Sequence, residues 1–192
     1  IAPSLVGSEM CIRDRGMYII VGMSNSSVAF SATSSDATTW TNNTIFNDVE
    51  YFTSIIWIPE INRFIAVGST SPNGGIDHYP FFISTQDGIK WDLSGTLDSN
   101  PNSQFFSIAW SSPLCRIVAV GHNGFFASAK VQNDSIIWDF SGNITGIERY
   151  YKIIWASHLQ RFIAVGNDNP IGHYNSSFCL LYTSDAADEH GC

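Results

Sequence analysis

Apolar residues in this chain come in short runs separated by clusters of Gly, Asn, Ser and Asp. Residues 54–58 (Ser-Ile-Ile-Trp-Ile) and 63–67 (Arg-Phe-Ile-Ala-Val) are typical, with a few turn-forming residues between them. Short β-branched and aromatic runs bounded by turn formers predict a β-hairpin. Both runs are apolar almost without interruption, which predicts strands covered on both faces rather than on one. Residues 80–85 read as a third strand, and 89–93 as a fourth after the turn at Gln86-Asp-Gly88.

The pattern repeats. Met17-Tyr-Ile-Ile-Val-Gly22, Arg63-Phe-Ile-Ala-Val-Gly68, Arg116-Ile-Val-Ala-Val-Gly121 and Arg161-Phe-Ile-Ala-Val-Gly166 match one another, their glycines 46, 53 and 45 residues apart. Trp57, Trp110 and Trp155 precede the last three. A second series, Trp40, Trp91 and Trp138, falls between them, and each of these has an Asp four positions earlier: Asp36, Asp87 and Asp134.

Four antiparallel strands per repeat, each sheet buried between neighbours, are what a β-propeller blade requires. The expected fold class is therefore all-β, a partial β-propeller of about three to three and a half four-stranded antiparallel blades. Residues 51–93 and 105–140 read as complete blades. Residues 17–42 supply the last three strands of an earlier blade, and 150–178 part of a later one.

The ends read differently from the rest. Residues 5–14 (LVGSEMCIRD) and 179–189 (CLLYTSDAADE) resemble translated adapters of the kind used to prepare sequencing libraries. Met10-Cys-Ile-Arg-Asp14 is encodable by ATG TGT ATA AGA GAC. The reverse complement, in a shifted frame, reads as Cys-Leu-Leu-Tyr-Thr, which is residues 179–183. One inverted element thus accounts for both peptides. The expectation is that 1–15 and 179–192 are adapter-derived and that 16–178 is an incomplete propeller, open at both ends.

That division changes the composition. The 192 residues include four Cys and carry a net charge of −8. Without the two ends only Cys115 remains, so a disulfide framework or a Cys-based zinc site is not expected. The charge becomes mildly acidic, which argues against a nucleic-acid partner. No apolar run approaches the ~20 residues a membrane helix requires. Six Trp, 13 Phe, 7 Tyr and 15 Gly fit many short strands and tight turns.

Ser84-Thr-Gln-Asp-Gly-Ile-Lys-Trp91 resembles the Asp-box motif, Ser-x-Asp-x-Gly-x-x-Trp, of BNR-like, sialidase-superfamily propellers. With its bordering Phe-Ile-Ala-Val-Gly strands, the chain is similar to the broad group that also includes photosystem II assembly factor-like repeats. Ser84, Gly88 and Trp91 match, whereas Gln86 holds the usual Asp position and Asp87 sits one residue later. The copies ending at Trp40 and Trp138 keep only Asp36 and Asp134 with the Trp. The resemblance implies a structural part for these residues: the carboxylate accepts turn amides, Gly88 takes positive φ, and the Trp anchors the turn.

Candidate chemistry is sparse. A sialidase would need an arginine cluster, an acid and a Tyr/Glu pair. Arg63, Arg116 and Arg161 occupy one repeat position, which a structural constraint explains, and Arg149 beside Glu148 and Tyr150 is the remaining arginine of 16–178. The segment after each Val-Gly varies most and carries His78 with Tyr79, His122, and His173 with Tyr174. These five are the candidate ligand-binding residues, since a scaffold's variable loops are where binding groups lie. The histidines lack metal-ligand spacing, so no metal and no cofactor is expected. Five Asn-x-Ser/Thr sequons, at Asn25, Asn42, Asn133, Asn143 and Asn175, fit a secreted or extracellular protein. The expected function is a non-enzymatic recognition or scaffold module that binds protein or glycan through one loop face. The alternative is a fragment of a sialidase-like glycoside hydrolase whose catalytic blades are missing.

Overall fold

The computed structural model describes residues 10–14, 16–24, 28–46, 49–71, 77–97, 102–168 and 175–183, with 10–14, 44–45, 93–94 and 175–183 described by backbone alone. Two compact units divide at Pro101 and Asn102.

In the first unit, β1 (Met10–Asp14), β2 (Met17–Met23), β3 (Ala29–Ser34) and β4 (Thr41–Phe46) form one antiparallel sheet in that order. A second contains β5 (Tyr51–Ile58), β6 (Arg63–Thr70), β7 (Tyr79–Thr85) and β8 (Trp91–Thr96), with a single 3₁₀ turn, Pro59–Ile61, inside the first hairpin. In the second unit, β9 (Phe105–Ser111), β10 (Arg116–Gly121), β11 (Phe125–Gln132) and β12 (Ser135–Asn143) form a four-stranded sheet. The chain continues into a three-stranded one of β13 (Ile147–Ala156), β14 (Arg161–Asp168) and β15 (Asn175–Thr183).

The expected blades at 51–93 and 105–140 coincide with the two middle sheets. The first sheet has four strands where the sequence reading of 17–42 had three, because Met10–Asp14 pairs along β2 from Met10↔Val21 to Asp14↔Met17. Likewise 179–183 extends β15 beside β14. Edge pairing is made by main-chain groups, so an extended segment satisfies it with little regard to side chains.

The unbroken apolar runs lie where both faces are covered: β6 is buried from Phe64 through Thr70, and β10 from Ile117 through Gly121. In the first unit the core joins Ile19, Val21 and Ala29 of one sheet to Phe52, Ile55, Phe64, Ala66 and Ile83 of the next. In the second it joins Ala109, Val118 and Val120 to Ile153, Phe162 and Ala164. A polar tie accompanies the latter: the Ile153 amide donates to Ser107 Oγ at 3.2 Å.

The repeated glycine has a steric cause. At Gly68, Gly121 and Gly166 a Cβ would run into a carbonyl oxygen of the neighbouring first strand, that of Tyr51, Gln104 and Arg149 respectively. Each collision sits beside a shift in strand register. The hairpin before it closes the same way each time. Asn62, Cys115 and Gln160 take positive φ of 52°, 46° and 50° immediately before the repeated Arg. Their amides reach back to Pro59, Ser112 and Ser157 carbonyls. One expectation is corrected here: no disulfide is expected at Cys115, the one Cys of 16–178, yet it is disulfide-bonded, and the chain's other three Cys are Cys11, Cys179 and Cys192.

Gly121→Ala should lower stability by about 1–3 kcal/mol, because the obstructing atoms are backbone and cannot swing away. Gly142→Ala, whose Cβ would meet only side-chain atoms at 3.6 Å or more, should be neutral or slightly stabilising. Urea unfolding of both variants checks this, and equal losses would remove the steric account.

Candidate functional site

Two of the three Asp-centred turns are built alike. Asp36 Oδ1 accepts the amides of Thr38 (2.8 Å) and Thr39 (2.7 Å) and the Ser34 hydroxyl (2.9 Å). Asp87 Oδ1 accepts the amides of Ile89 and Lys90, both at 2.8 Å, with the Thr85 hydroxyl oxygen 3.2 Å away. These donors favour the ionised form. Asp36 is held below the usual carboxylate range chiefly by the Thr39 and Thr38 amides, and Asp87 chiefly by the Lys90 amide, which together with the Ile89 amide outweighs the opposing effect of burial.

Thr85, not Ser84, is the hydroxyl of the second turn: its Oγ1 donates to the Lys90 carbonyl at 2.6 Å and accepts the Gly88 amide at 3.0 Å. The signal was available in the spacing, since Thr85 precedes Asp87 by the two positions that separate Ser34 from Asp36. Gly88 has φ +71°, and a Cβ there would meet Ile19 and Thr33 of the preceding sheet at 2.7 Å. Asn43 Nδ2 clasps the Gly88 carbonyl at 3.2 Å, and Trp91 Nε1 donates to Ser31 Oγ at 3.2 Å. Phe46, Phe52 and Trp91 meet ring to ring, with Phe52 and Trp91 stacked at 6.2 Å. Turn and tryptophan together fasten one sheet to the one before it.

Asp134 departs from this plan. It forms, with Asn133, a two-residue hairpin in which both have positive φ, 50° and 59°, closed by the Gln132↔Ser135 pair. A connection that short offers its carboxylate no succeeding turn amides. Trp138 nevertheless stacks on Phe105 at 6.1 Å, and Trp40 is half-buried at the head of β4.

Two of the three repeated arginines are engaged within their own sheets. Arg63 Nη1 donates to Ser84 Oγ at 3.1 Å and pairs with Asp92. Arg116 donates to Ser128 Oγ at 3.2 Å and holds Asp139 in a two-pronged pair at 2.9 and 3.0 Å. Burial works against ionisation of Asp139, but the Arg116 hydrogen bond and charge outweigh it and its carboxyl lies below the usual range. Sequence reasoning overlooked Asp92 and Asp139, although each directly follows a motif Trp. Arg161 is exposed at the start of β14.

The candidate binding residues lie at the ends of strands. In the first unit His78 Nδ1 meets Glu50 Oε2 at 2.6 Å, both half-exposed, and Tyr79 opens β7 opposite Thr70. In the second, His122 Nδ1 meets the Asn102 carbonyl at 2.8 Å. That contact makes Nδ1 the protonated nitrogen and leaves Nε2 as an acceptor in the neutral ring. The ring sits edge-on to Phe106 at 6.3 Å, and the residue bridges to Arg149. Asn123 extends this cluster, donating its amide to the Glu148 carbonyl and Nδ2 to the Asn102 carbonyl. Arg149 Nε approaches Glu148 Oε1 at 3.7 Å, and Asn167 Nδ2 donates to Glu148 Oε2 at 3.1 Å. Tyr150 is fully buried and joins the core, so the Glu148, Arg149 and Tyr150 side chains do not converge. His173 and Tyr174 lie outside the described residues. Among the described residues no three His, Cys, Asp or Glu side chains gather to hold a metal, and no helix is long and apolar enough to cross a membrane.

Against known proteins, the geometry places the chain in a class: all-β, a partial β-propeller. It is similar to the GH43 endo-arabinanase from Bacillus licheniformis, at TM-score 0.55 and 11% identity over 91% of this chain and 71% of that one. It is similar also to the hydrazine synthase of Kuenenia stuttgartiensis (TM-score 0.61, 7% identity, 86% of this chain and 56% of that one) and to YjhT (0.60, 6%, 89% and 65%). At these identities the likeness shows the fold. The chain matches no protein-family model and no curated protein sequence.

Because the folded-state value of Asp87 lies below the ordinary carboxylate value of about 4, its contribution to stability is present above that pH and is lost as pH falls through the folded value. Asp87→Asn should therefore be less stable than the parent at pH 7, with the gap narrowing below about pH 4. Urea midpoints at pH 7 and pH 3 check it; a gap independent of pH would show that the charge is immaterial.

Proposed function

We propose that the chain belongs to a propeller of the Asp-box, BNR-like kind and acts as a non-enzymatic recognition or scaffold module, binding protein or glycan at the strand ends of each unit taken by itself, those of His78 and Tyr79 in the first and that of His122 in the second. The observation that carries this reading is how the charged side chains are spent. Asp36 and Asp87 each spend one carboxylate oxygen on their own turns, and Arg63 and Arg116 are tied to Asp92 and Asp139 within their sheets. Groups so engaged stabilise the scaffold. The strand-end residues instead combine half-exposed imidazoles, an aromatic neighbour and amides, a mixture suited to hydroxyl-rich or peptide surfaces.

The second reading, a piece of a glycoside hydrolase, is favoured by the structural likeness to an arabinanase. It requires an acid and a second carboxylate placed across a glycosidic bond.

We further propose that 1–15 and 179–192 are adapter-derived. In register, Leu180 stands opposite Ile163 where Ser84 and Ser128 stand opposite Ile65 and Val118. Those two serines are the ones that hold Arg63 and Arg116. The repeat's arginine clasp is thus broken where the adapter-like sequence begins.

Glycan-array and peptide-array binding by the purified chain, with His78→Ala and His122→Ala, tests the recognition reading. A ligand whose affinity falls about tenfold, or ~1.4 kcal/mol, in either variant supports it. Unchanged binding removes these residues from the site, and turnover of an arabino-oligosaccharide by the chain would favour the hydrolase.

A further inference from the structure

The register of β13 with β14 places Lys152 opposite Val165 and Ile154 opposite Ile163, so these four share one face of the last sheet. The opposite face, carrying Ile153, Phe162 and Ala164, packs on β9 and β10. Repeat position shows what the first face normally does. Val165 is equivalent to Val67 and Val120, each following an Ala and preceding the repeated Gly. Both of those are 0% exposed, whereas Val165 is 38% exposed. Ile154 is equivalent to Ala109, one residue before the repeat's first Trp; Ala109 is 7% exposed and Ile154 51%. Ile163 is half-buried where Ile65 and Val118 are buried.

The covered version of this face is visible within the same unit. Ala109, Val118 and Val120 meet Ile153, Phe162 and Ala164 of the following sheet, and Ser107 beside them accepts that sheet's Ile153 amide. We propose that the face of Lys152, Ile154, Ile163 and Val165 is a sheet-docking surface whose occupant is a further antiparallel sheet of this chain's own repeat. The docked sheet presents the side chains equivalent to Ile153, Phe162 and Ala164. The proposal continues an interface already formed one repeat earlier rather than invoking a new kind of contact. One position differs: Lys152 replaces the buried Ser54 and Ser107 of the earlier repeats. Its stem can lie along Val165 with the ammonium at the rim.

The test compares Val165→Cys in the chain as it stands with Val165→Cys in a chain extended after Thr183 by a flexible linker and a second copy of residues 105–143. Labelling at position 165 by a small maleimide should be at least about tenfold slower in the extended chain. Ile89→Cys, at an exposed turn position, should label equally in both. Equal labelling at 165 would overturn the proposal. In the unextended chain Val165→Lys should leave the melting temperature unchanged, since nothing yet covers the site; a loss as large as that of Val120→Lys would overturn it as well. Protection of the unextended chain that grows with concentration, together with sedimentation as a dimer, would assign the face to a second copy and contradict the commitment to a further repeat.

Discussion

A sheet that is apolar on both faces has to be covered on both, and the rest of this molecule follows from that constraint. The runs Phe64-Ile-Ala-Val67 and Ile117-Val-Ala-Val120 have no polar side to turn to water. Their solution within each unit is a neighbouring sheet in face-to-face contact. Within each sheet, the bulge between the first two strands adds a local demand, a close backbone approach that leaves no room for a side chain. The repeated Gly answers that demand at Gly68, Gly121 and Gly166, where a carbonyl oxygen occupies the place of a Cβ. The left-handed residue before each repeated Arg then folds the second strand back on the first.

The same constraint governs the polar groups. A buried or half-buried charge needs a partner, and the repeats supply one locally: Arg63 with Ser84 and Asp92, Arg116 with Ser128 and Asp139. The Asp-centred turns do likewise with their own amides. Consequently Arg63, Asp92, Arg116 and Asp139 are each engaged within their own sheet. Variable chemistry is left to the strand ends, where Glu50 meets His78 and where His122, Asn123 and Asn102 cluster.

Much of this was legible in the sequence. The spacing of the Val-Gly strands and of the two Trp series located the sheets, because strand-forming runs and their turns are local signals. What escaped was non-local or sterically specific. Thr85 was passed over for Ser84 because the motif was matched by its first serine rather than by the distance to Asp87. Asp92 and Asp139 acquire meaning only when β6 and β10 lie two strands away from them. Asp134 sits in the same Asp-to-Trp spacing as Asp36 and Asp87, yet it lies in a two-residue hairpin with positive φ. Main-chain pairing also drew Met10–Asp14 into the first sheet, which no side-chain pattern announces.

The central claim is that, in the first unit, the second sheet is fastened to the first by the turn and tryptophan that close its repeat. Nuclear Overhauser contacts in solution test it most directly in the first unit, where the Gly88 position abuts Ile19 and Thr33 and Trp91 reaches Ser31. The account predicts cross-peaks from the Gly88 α-protons to the Ile19 and Thr33 methyls, and from the Trp91 indole N–H to the Ser31 β-protons. A folded chain that showed strand-to-strand contacts within each sheet but none of these would contradict it.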